Sequence, residues 1–184
     1  TGTNGVIFPD NFNLKIGTGS DLKIFHNATD SFIINEVGNL KITNGANDKD
    51  IIFESDNGSG GVTEYFRLDG SFEKTVFSKD IFLNDSVKAL FGNSSDLQIY
   101  HNGSDSYVDQ TGTGDLILRT SSSGDDVFIR AMDDVFIQPK NGEAGVYIYS
   151  DGAVELYYDS SKKFETTSTG VAVTGAAFIN GNTD

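Results

Sequence analysis

Residues 95–108 read Ser95-Asp-Leu-Gln-Ile-Tyr-His-Asn-Gly-Ser-Asp-Ser-Tyr-Val108. Seventy-five residues earlier the chain reads Ser20-Asp-Leu-Lys-Ile-Phe-His-Asn-Ala-Thr-Asp-Ser-Phe-Ile33, identical at 8 of 14 positions. The exchanges Phe25/Tyr100, Ala28/Gly103, Thr29/Ser104, Phe32/Tyr107 and Ile33/Val108 are conservative. In each copy an alternating run ends at an Asn-Gly or Asn-Ala pair and a second run begins. Leu22 and Ile24 fall on one side of an extended chain, Lys23 and Phe25 on the other. Asn-Gly tolerates the positive φ that a tight hairpin requires. A similar strand follows each copy, Gly38-Asn-Leu-Lys-Ile42 and Gly114-Asp-Leu-Ile-Leu118. A strand–turn–strand unit used twice predicts a first, divergent β repeat over 1–79 and a second over 80–184, stacked along an axis.

The rest of the chain has the same grain. Short apolar runs recur between polar turn clusters, among them Leu14–Ile16, Leu40–Ile42, Ile51–Phe53, Tyr65–Leu68, Phe72–Phe77, Ile81–Leu83, Val87–Phe91, Leu116–Leu118, Val127–Ile129, Val135–Ile137, Val146–Tyr149, Val154–Tyr158 and Val171–Val173. Asn-Gly stands at 4, 44, 57, 102, 141 and 180, and Asp-Gly at 69 and 151. No stretch of ten residues keeps a 3.6-residue period. Ile, Val, Phe and Tyr number 48 against 19 Ala and Leu, a balance that favours pleated surfaces over helix. Ile, Leu, Val and Phe make up 28% of the 184 residues, above the roughly 20% below which a charged chain stays disordered. The expected fold is all-β: a sandwich, a barrel or a repetitive fibre. A finer repeat, Asp125-Asp-Val-Phe-Ile129 and Asp133-Asp-Val-Phe-Ile137, adds weight to the last.

Charge and composition exclude much else. The net charge is −14, opposite to the cationic footprint that phosphates demand, so no nucleic-acid partner is expected. No apolar run approaches the ~18 residues of a membrane helix, and no membrane insertion is expected. The quoted sequence opens on polar Thr1-Gly2-Thr3-Asn4, with no charged and apolar leader pattern. Cys is absent, which removes disulfides, thiolate metal sites and thiol nucleophiles. Burial is the difficulty. Phe25, Phe128 and Phe136 stand on the face opposite to their aliphatic neighbours, so both faces of the strands are greasy, while only 37% of the chain is apolar. A slender chain cannot cover both faces alone. Three copies wrapped together would cover them and hide the strand edges that otherwise aggregate. An intertwined homotrimer, as a triple β-helix or a β-prism, is therefore expected.

The segment Leu90–Val108, with Gly152-Ala-Val-Glu-Leu-Tyr-Tyr-Asp-Ser-Ser-Lys-Lys-Phe-Glu-Thr-Thr-Ser-Thr-Gly-Val-Ala-Val-Thr-Gly175, resembles a unit common in tail-fibre-like structural proteins of marine bacteriophages, especially those infecting cyanobacteria. The resemblance covers residues 80–175 closely and 13–42 more weakly, where Phe25 and Ala28 replace the more usual Tyr and Gly. Residues 43–79 carry no motif of this kind. The resemblance implies a non-enzymatic virion appendage, outside the cell, with other virion proteins as neighbours and host-surface glycans as what it touches. A polysaccharide-degrading tailspike and a purely structural shaft or head fibre are the alternatives.

Candidate site residues are few. His26 and His101, the only two histidines, occupy equivalent repeat positions. On a threefold axis each would bring three imidazoles together, a transition-metal site; otherwise each ends a strand and bonds the turn that follows. Asn102-Gly-Ser-Asp-Ser106 and Asp48-Lys-Asp50 offer oxygens to calcium but fit no twelve-residue loop; such residues also simply make turns. Glu155 with Asp159, or Glu143 with Asp151, are carboxylate pairs without the cleft that sugar hydrolysis needs. No nucleophile elbow, P-loop or His-Glu-X-X-His occurs. Tyr147, Tyr149, Tyr157 and Tyr158 suit packing and saccharide stacking alike, with packing the expected role. Glycosylation sequons at Asn27, Asn57, Asn84, Asn93 and Asn102 are what chance produces in a chain so rich in Asn, Ser and Thr.

Overall fold

The computed structural model describes residues 5–140 and 142–177. Fourteen strands and no helix occur among them, so no helix there could cross a membrane. The strands form four open antiparallel sheets, each built from neighbours in sequence. The first sheet joins β1 (Leu14–Ile16), β2 (Leu22–His26) and β3 (Ser31–Asn35). The second joins β4 (Ile51–Asp56), β5 (Val62–Asp69) and β6 (Lys74–Phe77), and the third β7 (Ala89–Phe91), β8 (Leu97–His101) and β9 (Ser106–Gln110). The fourth is a five-stranded meander of β10 (Val135–Ile137), β11 (Val146–Ile148), β12 (Val154–Tyr158), β13 (Ser161–Thr167) and β14 (Gly170–Val173). The chain divides into two compact units, Thr1–Phe91 with Gln98–Asp109, and Gly92–Leu97 with Gln110–Asp184.

The sequence repeat is a structural repeat. Between β1 and β2, Gly17 and Ser20 take φ of 89° and 61°; between β7 and β8, Gly92 and Ser95 take 86° and 58°. Each turn is closed by the serine N–H donating to the glycine carbonyl, at 3.1 Å in both. At the next turn the Asn27 side-chain oxygen accepts from the Thr29 and Asp30 amides, at 3.0 and 2.8 Å. Asn102 accepts from Ser104 and Asp105 at 2.9 and 2.8 Å. The second turn residue must sit at positive φ: Gly103 does so at 97°, and Ala28 is forced there at 78°. That conformation presses Cβ against the backbone and costs about 1–2 kcal/mol for a residue with a side chain. Across the hairpins Phe25 stacks on Phe32 at 4.8 Å and Tyr100 on Tyr107 at 4.9 Å, so the ring positions are kept while the hydroxyls change.

Burial is inverted. No hydrophobic residue is buried among the described residues; the two buried ones are Asp69, 7% exposed, and Glu155, 9% exposed. In every sheet some aliphatic or aromatic side chains are exposed, and the rest, such as Phe25, Phe32, Phe66 and Tyr147, are only half-buried.

The expected strands at Leu40–Ile42, Ile81–Leu83, Leu116–Leu118 and Val127–Ile129 are absent. Each run is apolar enough, but a strand needs a second backbone about 4.8 Å away that bonds it in register, and no such ladder forms at these four runs. Phe72 falls in a turn rather than in β6. Strand β13, by contrast, is polar and carries no apolar run; a register shift puts Lys162 on the face of Glu165 and opposite to Phe164, and the strand is pinned between β12 and β14.

Candidate functional site

His26 and His101 lie at the C-terminal ends of β2 and β8. Each points its Nδ1 at the serine that opens the next strand: His26 to Ser31 Oγ at 3.1 Å, His101 to Ser106 Oγ at 3.1 Å. The carbonyl of each accepts an amide from the chain ahead of the sheet, Asn11 at 2.8 Å and Ser86 at 2.7 Å. The repeated histidine thus fastens the turn end of a hairpin. Among the described residues no group of three or more His, Asp or Glu is placed to hold a metal ion. The oxygens offered to calcium are engaged locally: Asn102 caps its turn, Asp48 accepts from Asn47 at 2.8 Å, and Asp50 accepts from the Gly70 amide at 3.0 Å and pairs with Arg67 at 3.2 Å.

Beside the His101 hairpin, Ile81, Phe82 and Leu83 with Val87, Ile99 and Val108 line an open apolar groove of about 460 Å³. Lys88 covers Tyr100 at 4.2 Å from the ring centre and donates to Gln98 at 2.6 Å.

Two polar networks hold the two buried carboxylates. On β5, Arg67 reaches Glu64 and Asp69, both at 2.9 Å. Burial pushes the Asp69 carboxyl up, but the Arg67 guanidinium and the Phe72 and Ser71 amides outweigh it and leave it below its ordinary range. Hydrogen bonds from Ser78 and Arg67 likewise lower Glu64. In the fourth sheet one rung runs across all five strands, Phe136–Tyr147–Glu155–Glu165–Ala172. Glu155 accepts from the Tyr157 hydroxyl and from Lys162 at 2.9 Å, and Lys162 also bonds Glu165. Those two donors hold Glu155 below its usual value, while its acceptance of the Tyr157 proton, with burial, pushes that phenol up to about 12. Hydrogen bonds to Glu165 and Glu155 raise Lys162.

The tyrosine cluster is three residues, not four. Tyr147 meets Phe136 edge-on at 4.6 Å, Tyr149 at 6.3 Å and Tyr157 at 5.1 Å. Tyr158 lies apart, 75% exposed, because successive strand residues point to opposite faces. No hydrogen bond joins Glu155 to Asp159 or Glu143 to Asp151, and Glu155 is spent on its tyrosine and lysine. Sequence reading missed the Arg67 and Lys162 networks: alternation puts Arg67 on one face with Asp69, but the i,i+3 partners Glu64 and Glu165 join Arg67 and Lys162 only because the register shifts opposite Glu54 and Tyr157. Comparison with family models, with curated proteins and with solved structures finds no match.

Proposed function

We propose that the chain is a self-assembling β-fibre of a phage particle, a tail fibre or related appendage that helps hold the particle to a host surface. The carrying observation is the bare apolar surface. The accessible area is 15475 Å² for 19.8 kDa. Two separate compact bodies of half this mass would together expose about 10,400 Å². The excess of about 5,000 Å² per chain is on the scale of an obligate assembly, where interfaces run to ~2,000–5,000 Å². A homotrimer with the β-sheets wrapped about one another accounts for it. The duplicated hairpin and the resemblance of residues 80–175 to fibre proteins support the same reading. Repeated loops along three chains would meet host glycans many times over, and multivalency of this sort raises affinity by ~10²–10⁴. Neighbouring virion proteins would anchor the rod, and no catalysis is asked of it.

Sedimentation of the purified chain tests this. A folded species of three times the chain mass, persisting on dilution, is expected; a stable folded monomer overturns the reading. Labelled assembly should bind host cells. Release of reducing sugar from host polysaccharide would replace the adhesive role with a degradative one.

A further inference from the structure

Between β9 and β10, residues 111–134 carry no strand, an unusual length for a structureless connection in a compact domain. Two five-residue stretches inside it share one pattern: Asp115-Leu-Ile-Leu-Arg119 and Asp126-Val-Phe-Ile-Arg130. All six apolar side chains are exposed, Phe128 at 80%. Arg119 and Arg130 are two of the three arginines in the chain, and neither makes an ion pair among the described residues, whereas Arg67 makes three. Val127–Ile129 also repeats, residue for residue, a segment that does form a strand, Val135–Ile137.

We infer that these two stretches are the strands through which copies of this chain join: Asp115–Arg119 of one copy pairs antiparallel with Asp126–Arg130 of the next. The inference rests on the fibre reading above and names its contact. The charges fix the direction. Antiparallel, Asp115 faces Arg130, Arg119 faces Asp126, and Ile117 meets Phe128. Parallel, like charges would stand opposite each other at both ends, which destabilises a strand pair. The backbone amides and carbonyls left without a ladder within the chain gain partners, as in strand addition to an open edge. Passed head to tail from copy to copy the contact is heterologous, and heterologous contacts close into rings, three copies among them, whereas reciprocal exchange would stop at two copies. The same pairing within one chain would make an ordinary hairpin. Thr120 Oγ donates to the Asp125 carbonyl at 3.0 Å in the turn between the two stretches, and no backbone ladder joins them.

A mixing experiment separates the two. One variant, R119D/R130D, carries acids at all four ends; the other, D115R/D126R, carries arginines. Each alone should dissociate at a concentration at least about tenfold higher than the native chain, since like charges now face each other. Mixed in equal amounts they should assemble at a lower concentration than either alone, as hybrid oligomers containing both masses, because two of the three contacts in a mixed ring of three are complementary. Amides of 116–118 and 127–129 should be protected from deuterium exchange in the native assembly and in the hybrids, and exposed in either variant alone. Protection of the β11–β12 amides in every sample shows that the fold survives. Native assembly with fast exchange at 116–118 and 127–129 overturns this contact and leaves the fibre reading standing. Protected amides in a mixture without hybrids mean an intrachain hairpin and overturn it too. A monomeric native chain overturns both.

Discussion

Asp125-Asp-Val-Phe-Ile129 and Asp133-Asp-Val-Phe-Ile137 are the same pentapeptide eight residues apart, yet they end differently. The second supplies β10, paired in register with β11: Val135 with Ile148, Phe136 with Tyr147, Ile137 with Val146. The first has no ladder. Local preference is equal, so the difference lies in what the chain places alongside. After Ile137 a short polar connection returns Val146–Ile148 antiparallel, and Tyr147 arrives against Phe136. After Ile129 the chain bends through Ala131-Met-Asp-Asp134 into β10, and nothing adds to the open outer edge that β10 keeps. A strand is a property of a pair of segments, and the pentapeptide specifies only half of the pair.

Substitution can sharpen that contrast. Phe128→Asp should have the largest effect, and only on assembly: a charge placed where two apolar strands meet cannot be solvated or paired. Sedimentation should show the native oligomer lost at concentrations about 100-fold above its normal dissociation, with the circular dichroism of the sheets retained. Phe136→Ala should do the reverse. It removes the edge contacts to Tyr147 and Tyr149. The ring is 52% exposed, so about half of the 3–5 kcal/mol typical of a buried Phe→Ala is expected, roughly 2 kcal/mol, read as faster exchange of the β10 and β11 amides. If both substitutions act on the same property, the two copies of the pentapeptide are equivalent and the contrast is lost.

The rung that anchors β10 carries a pH signature. Glu155 is held below its ordinary 4.5, so its contribution is full above that value and lost as pH falls through its lowered folded value. Lys162 is held above 10.5, so its share is full below that value and lost as pH rises through the raised one. Loosening of the five-stranded sheet at both extremes is expected, and Glu155→Gln should flatten the acid limb while Phe128→Asp leaves it unchanged. In a spectrophotometric titration, Tyr157→Phe should delete the phenol that ionises near pH 12. The smallest effect belongs to the duplicated turn. Ala28→Gly should stabilise the first hairpin, and Gly103→Ala should weaken the second, each by about 1 kcal/mol in thermal unfolding.

The duplicated hairpins were legible because everything that makes them is local. Gly17–Ser20, Asn27–Asp30, Gly92–Ser95 and Asn102–Asp105 close through bonds spanning two or three residues, and the flanking alternation sets which side chains meet. The histidines were legible only as a pair; that each fastens a serine follows from the register His26 opposite Ser31. Strand β13 was hidden because its partners, β12 and β14, provide the order that its polar side chains do not advertise. Leu40–Ile42, Ile81–Leu83, Leu116–Leu118 and Val127–Ile129 misled for the opposite reason: greasy alternation signals a wish for burial and says nothing of whether a neighbour exists.

The sequence alone determined an all-β chain, its duplicated turns and the surplus of apolar surface over what one copy can cover, because composition, two-residue alternation and positive-φ turns act over a few residues. The tertiary structure alone decided which apolar runs become strands and which carboxylates are buried. It also decided that no apolar side chain among the described residues is buried while Asp69 and Glu155 are, because ladders, ion pairs and burial are made between segments that only folding brings within reach.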